Sequence, residues 1–486
     1  MRKIASVPIL ASVAVSALLS SAALHPAYAA SPFYKDVCAS GCTYNNVQSA
    51  IDSITDSGSA NVYTIFLDAG VLETATPISM GGKSYINLEG RGMGVSVIRA
   101  NANFFINNQV SSVDVLDLSN STNITIRGLT IDGRTADPCG SGNCVGASTF
   151  YNGVQVTNAD HILLEGAEVM GITYGLWENP NSSSHVVQVF GSKILSSNYG
   201  IGIHGAVWHI FSSDVRAVRT GPQSGVVAVV FGINVGASSV ENSTVWGSHI
   251  HAELGQPGQV FNVAAVNLSF AQGSNFAIIG STMHTKITTT DIGLSDRTMY
   301  ALRSFPACGA STPTANVNVV ATDLLYESPA GLSQGRLGGL GYGGGNRCVA
   351  FNLSGASFID GGGTGGTYRG DIIGDPLVIG MNRYEPTVYS AGSKITKVIN
   401  PNGVGFTTGS GALFQTTNNQ TGIVTFVSSN TVSVTLPVAM PDTNYRISLS
   451  PNAQETIYVS ARTTTGFTIK SSKANSTASV DWIVLR

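Results

Sequence analysis

The stretch WGSHIHAEL, residues 246–254, sets His249, His251 and Glu253 at alternate positions of a segment with strand character. Successive side chains of a strand leave on opposite faces, so these three share one face while Ile250, Ala252 and Leu254 share the other. An imidazole beside a carboxylate can take up and deliver a proton near neutral pH. The same residues would also serve as the wet side of a half-buried sheet. Imidazole and carboxylate both suit zinc. Same-face neighbours on one strand stand about 6.8 Å apart, however, too far to share an ion without a bend, so no metal is assigned.

Seven of the eight histidines fall between 161 and 284. In YGIGIHGAVWHIF, alternation predicts that Ile201 and Ile203 point inward and His204 outward. A second cluster, HTKITTTDIGLSDRTMYALRSF, residues 284–305, holds Lys286, Asp291, Asp296, Arg297, Tyr300 and Arg303. Only 11% of the chain is charged, so three cations so close together stand out as a site for carboxylates. Arg297, Tyr300 and Arg303 at three-residue spacing equally suit the solvated side of a short helical turn.

The bulk of the sequence narrows the class. With 486 residues, a net charge of −3 and no internal run of Lys or Arg, neither nucleic acid nor an anionic membrane is an expected partner. Residues 1–29 read as a signal peptide: Arg2 and Lys3, an apolar run from Val7 to Leu24, and Ala27-Tyr28-Ala29 before the cleavage point. Export permits disulfides, and the spacing suggests Cys38 with Cys42, Cys139 with Cys144, and Cys308 with Cys348. GLGYGG, residues 339–344, is followed by a strand pattern and not by the helix a bound pyrophosphate needs.

Val47, Ala50, Ile51 and Ile54 have the spacing of one helical face. From NVYTIFLDAG onward the period changes to two, and short apolar strands flank a small residue at a bend: NITIRGLTIDG, HILLEGAEVMG, HVVQVFGSKIL, FAIIGSTMHT. This recurs every 20 to 40 residues without intervening helices, which predicts stacked coils of parallel strand capped by the helix. Equivalent positions then lie about 4.8 Å apart per coil, so histidines distant in sequence can form one exterior ladder. The expected divisions are 30–380 for the coils, 381–400 for a linker and 401–486 for a small antiparallel β module.

TIFLDAGVLETATPISMGGKSYINLEGRGMGVSVI, followed by NITIRGLTIDG, resembles the entry coils of the pectin lyase-like, right-handed parallel β-helix superfamily. The resemblance implies an all-β solenoid and an extracellular polysaccharide as partner. TGFTIK and VDWIVL are similar to C-terminal modules of phage tail fibres, which implies binding, homotrimer formation or capping. The GHG and RIK set of the galacturonan hydrolases and the QDTL and DFIFG runs of the methylesterases are not found. No Asp-rich calcium constellation is evident either, which leaves calcium open.

Elimination on a uronide needs a base, a cation against the carboxylate and an acid for the leaving oxygen. His251 or His204, Arg297 or Arg303, and Tyr300 would supply these, with His249, Lys286, Asp291 and Asp296 binding the chain. Hydrolysis of a neutral glycan needs two carboxyl groups, for which Glu253, Asp291 and Asp296 are candidates. The expected function is therefore a secreted lyase on an acidic glycan, with a glycoside hydrolase or a non-catalytic glycan-binding adhesin as alternatives. N-terminal sequencing of the exported protein is expected to begin at Ala30.

Overall fold

Each circuit of the chain makes three short strands separated by three corners. One circuit runs Val207–Phe211, Asp214–Arg219 and Val229–Val235, and the next runs Ser243–Trp246, His249–Leu254 and Asn262–Leu268. Strands of successive circuits pair in parallel, as in His209↔Thr244, Val215↔Ile250 and Ile233↔Val266. The computed structural model describes residues 33–107, 112–133, 150–179, 186–205, 207–219, 229–236, 242–255, 262–269, 275–289, 298–304, 315–329, 336–342, 349–354, 356–360, 368–373, 377–381, 384–385, 420–436, 443 and 445–485.

Among the described residues the coils build three parallel sheets of 12, 11 and 10 strands. The first runs from Tyr34–Val37 to Leu377–Met381, the second from Gly70–Thr74 to Tyr384–Glu385, and the third from Ile78–Ser79 to Tyr368–Ile373. These are the stacked parallel coils the periodicity predicts, and the right-handed parallel β-helix the resemblance implies. One continuous apolar column fills the interior, with Val189, Ile210, Val245, Ile278 and Val319 stacked on successive coils of the first sheet and wholly buried.

The corner between the first and second sheets explains the recurring small residues. Its first position is left-handed, at Gly191, Ser212, Gly247, Gly280 and Ala321. The next residue is a hydroxyl, and these form a ladder: Ser192 N–H donates to Ser213 Oγ at 3.2 Å, Ser213 N–H to Ser248 Oγ at 3.1 Å, and Ser248 N–H to Ser281 Oγ at 3.2 Å. Each buried corner amide is thereby satisfied by the following coil.

The third sheet bends instead on a column of glycines. Gly153, Gly175, Gly200 and Gly232 fall at equivalent positions of successive coils. A Cβ on Gly200 would stand 2.4 Å from Gly232 O and 2.5 Å from Val215 Cγ1, so backbone and second-sheet side chains occupy its space.

Helix Val47–Asp52 covers the end of the column: Val47, Ala50, Ile51 and Ile54 are buried, and Asn46 Oδ1 accepts the Ser49 N–H at 2.8 Å. A second short helix, Ala102–Asn107, had no expectation in the sequence. The C-terminal module consists of two three-stranded antiparallel sheets around Phe426, Tyr445, Phe467, Ile469 and Trp482. Cys38 and Cys42 form the expected disulfide. Cys139, Cys144, Cys308 and Cys348, the signal segment 1–29 and most of 381–419 lie outside the described residues. No helix among the described residues is long and apolar enough to cross a membrane.

Replacing Gly200 by Ala is expected to destabilise the coils by about 1–3 kcal/mol through overpacking, read as a lower denaturation midpoint in urea.

Candidate functional site

The outer face of the second sheet carries a dense ionisable patch. Strand His249–Leu254 lies between Asp214–Arg219 and Thr282–Ile287, with Asp214 beside His249, Arg216 beside His251, His251 beside His284, and Glu253 beside Lys286. His249 Nδ1 meets Asp214 Oδ1 at 3.1 Å, His251 Nε2 meets Glu253 Oε2 at 3.1 Å, and His284 Nε2 meets Glu327 Oε1 at 3.0 Å. Each imidazole is therefore braced by its own carboxylate. The Nδ1 atoms of His251 and His284 approach to 3.0 Å, and nitrogens of all three rings lie within 4.8 Å of one another.

Burial pushes His251 and His284 below the usual imidazole range, although Glu253 and Glu327 pull them upward. Burial opposes ionisation of Asp214, but hydrogen bonds from His249 and Arg216 outweigh it and hold the carboxyl at about 2. Lys286 Nζ lies 3.3 Å from Glu327 Oε1. Within one strand the spacing of same-face neighbours keeps His249 and His251 apart. Coil stacking adds His284 from the next.

The other expected catalytic residues lie elsewhere. His204 is not outward in solvent: it follows the end of strand Tyr199–Ile203, is 9% exposed, and packs against Trp177 with ring centroids 5.1 Å apart. Its backbone N–H donates to Glu178 Oε2 at 2.8 Å, an oxygen that also accepts Trp208 Nε1–H at 3.0 Å. Burial lowers the His204 imidazole to about 4, so it is neutral at pH 7. Tyr300 and Arg303 belong to strand Thr298–Ser304 of the third sheet, not to a helical turn, and both are buried because the strand is sandwiched between adjacent coils. Arg297, Asp291 and Asp296 lie outside the described residues. The elimination set is thus divided, with His251 and Glu253 on one sheet and Tyr300 and Arg303 on another.

A second candidate site lies on the outward side of the third sheet, where most of the side chains concerned are buried and Tyr199 and Trp177 are partly exposed. One row of coil-equivalent residues runs Asp114, Asn152, Tyr174, Tyr199, Phe231, Ala264 and Tyr300. Asn152 Nδ2 donates to Asp114 Oδ1 at 2.7 Å. The Tyr174 and Tyr199 rings stack at 4.4 Å and 6°, Tyr199 meets Phe231 edge-on at 5.8 Å, and Trp177 leans on Tyr174 at 4.1 Å. Beyond them Arg303 donates from Nη1 to Asn267 Oδ1 at 2.7 Å and from Nε to Thr298 Oγ1 at 3.1 Å, its guanidinium 5.8 Å from the Phe231 ring centre.

Burial raises the Asp114 carboxyl to about 7; the Asn152 hydrogen bond works against this and the charge of Asp117 adds to it. Burial lowers Arg303 to about 10, which leaves it charged at neutral pH. VDVLDL hides Asp114 and Asp117 because three-residue spacing assigns them to opposite faces of a regular strand. Consecutive burial of Val115 and Leu116 lets both carboxyls lie outside the column.

No protein-family model matches the chain, and no curated protein matches its sequence. Solved structures with a similar course include ORF18 of Geobacillus virus E2, at 13% identity and a TM-score of 0.41 over 92% of this chain and 77% of that one. The tailspike protein of Pseudomonas phage LKA1 matches at 11% identity and 0.36 over 90% and 91%. A pectin methylesterase from Erwinia chrysanthemi matches at 13% identity and 0.33 over 51% and 78%. The β-helix assignment rests on this chain's own three parallel sheets.

An acid whose folded pKa is raised stabilises the fold fully below its unfolded value near 4 and loses that contribution as pH rises through about 7. Asp114→Asn is therefore expected to leave the melting temperature nearly unchanged at pH 4. At pH 8 it should raise stability by roughly 2 kcal/mol, half of what about three pKa units imply.

Proposed function

We propose that the protein is an exported enzyme that cleaves a polysaccharide lying lengthwise on the outer face of the third sheet. The observation that carries this reading is the row on which a carboxyl raised to about 7 by burial and stacked aromatic rings follow one another, coil after coil, with the buried Arg303 guanidinium on the neighbouring row of the same strand as Tyr300. A polymer requires recognition that repeats along its length, and the coils supply equivalent positions about every 4.8 Å. The partly exposed Trp177 and Tyr199 offer apolar ring surface to sugar faces.

Hydrolysis by the carboxyl pair fits these groups best. Asp114, protonated near neutral pH, gives its proton to the leaving glycosidic oxygen, and Asp117 serves as base or nucleophile. Arg303 binds an anionic group on the chain, which favours an acidic glycan. Elimination keeps support from Tyr300 and Arg303 sharing one strand, but His251 faces outward from a different sheet and does not serve as its base. Export by the signal segment would place the enzyme outside the cell or at its surface.

Incubation of the mature protein with uronide and neutral polysaccharides should release reducing ends without new absorbance near about 235 nm. Growth of that absorbance would replace hydrolysis with elimination, and neither signal would leave a glycan-binding protein. Asp114→Asn is expected to lower kcat about 10²–10⁴-fold with glycan affinity retained.

A further inference from the structure

We infer that His249, His251 and His284 form a binding site for one divalent transition-metal ion of the zinc type, on the outer face of the second sheet. The inference goes beyond the glycan reading and does not depend on it. The two strands that supply the rings are adjacent and in register, His251 facing His284 and His249 facing the small Thr282. Nitrogens of the three rings converge within 4.8 Å. Ligands held about 2.0–2.1 Å from a common zinc ion stand roughly 3 to 3.4 Å apart, so His251 and His284, at 3.0 Å, are already at ligand spacing. His249, the most exposed ring with 38% of its side chain accessible, closes the remaining distance by rotating.

The carboxylates supply a second, independent observation. Asp214, Glu253 and Glu327 each occupy one nitrogen of one ring, at 3.1, 3.1 and 3.0 Å. An imidazole that gives its N–H to a carboxylate keeps its lone pair on the other nitrogen, the arrangement by which outer carboxylates orient metal-binding histidines. The lone pairs left are Nε2 of His249 and Nδ1 of His251 and His284. With both rings in that tautomer the last two confront each other at 3.0 Å, and a positive ion between them removes that repulsion.

Charge agrees. Asp214, Glu253 and Glu327 outnumber Arg216 and Lys286, which are paired with Asp214 at 2.8 Å and Glu327 at 3.3 Å. Nitrogen donors select zinc, nickel, copper or iron over calcium, which takes oxygen ligands. Three protein ligands leave a fourth position open toward solvent for water or another oxygen donor.

The test uses the mature protein stripped with a chelator and titrated calorimetrically with Zn²⁺, Co²⁺ and Ca²⁺ separately. One equivalent of Zn²⁺ should bind, Co²⁺ should develop visible absorption bands of a nitrogen-ligated ion, and Ca²⁺ should give no heat. His251→Ala and His284→Ala should each abolish stoichiometric binding, and Glu253→Gln, which preserves size, should weaken it about 10–100-fold. His161→Ala, at a ring 62% exposed and far along the chain, should leave binding unchanged. Absence of stoichiometric Zn²⁺ binding overturns the inference. Undiminished binding in Glu253→Gln together with folded His251→Ala also overturns it.

Discussion

The molecule depends on one constraint: each coil must stack on the last with its strands parallel and in register. A residue that points out on one coil then stands directly over one that points out on the next, about 4.8 Å away. A one-residue slip would turn every apolar side chain of a strand from the column to the surface. Val189, Ile210, Val245 and Ile278, buried in sequence along the first sheet, oppose such a slip. The corner hydroxyls add a directional restraint, since each accepts the corner amide of the preceding coil and so favours one register.

The outer faces inherit this order, and their chemistry differs because their surroundings differ. On the second sheet the ionisable groups range from the buried His251 to the partly exposed His249 and Arg216, and they compensate one another in pairs, as Asp214 does with Arg216 and His249. Isolated exposed pairs contribute little to stability, so these pairs add little to what holds the coil together. On the third sheet the polar groups lie deeper, and burial governs them. Asp114 retains its proton toward neutral pH, His204 remains neutral, and Arg303 is held by the side chains of Asn267 and Thr298.

The glycine column separates these two surfaces. Gly153, Gly175, Gly200 and Gly232 bring the third sheet so close to the second that Val169, Ile194, Val215 and Ile250 occupy the space a side chain would need. Strand Ser112–Asp117 has Val115 at the position of these glycines, and there Val115 and Leu116 are buried in succession, which leaves Asp114 and Asp117 on the same side of the wall despite their odd spacing. Such a succession breaks the strict alternation on which strand faces are read.

The amino-acid sequence by itself determined the β-helical class, the capping helix at Val47–Asp52, the Cys38–Cys42 bond and the shared face of His249, His251 and Glu253. All of these depend on neighbours within a few residues or on a period repeated many times, and both can be read from a string. Tertiary structure alone decided that His284 joins His251, that Asn152 reaches Asp114, and that Tyr300 and Arg303 lie on a different sheet from His251. Those contacts join residues 33 and 38 positions apart. Coil length varies with each corner, so which residue lands above which is fixed only when the hydrogen-bond register closes.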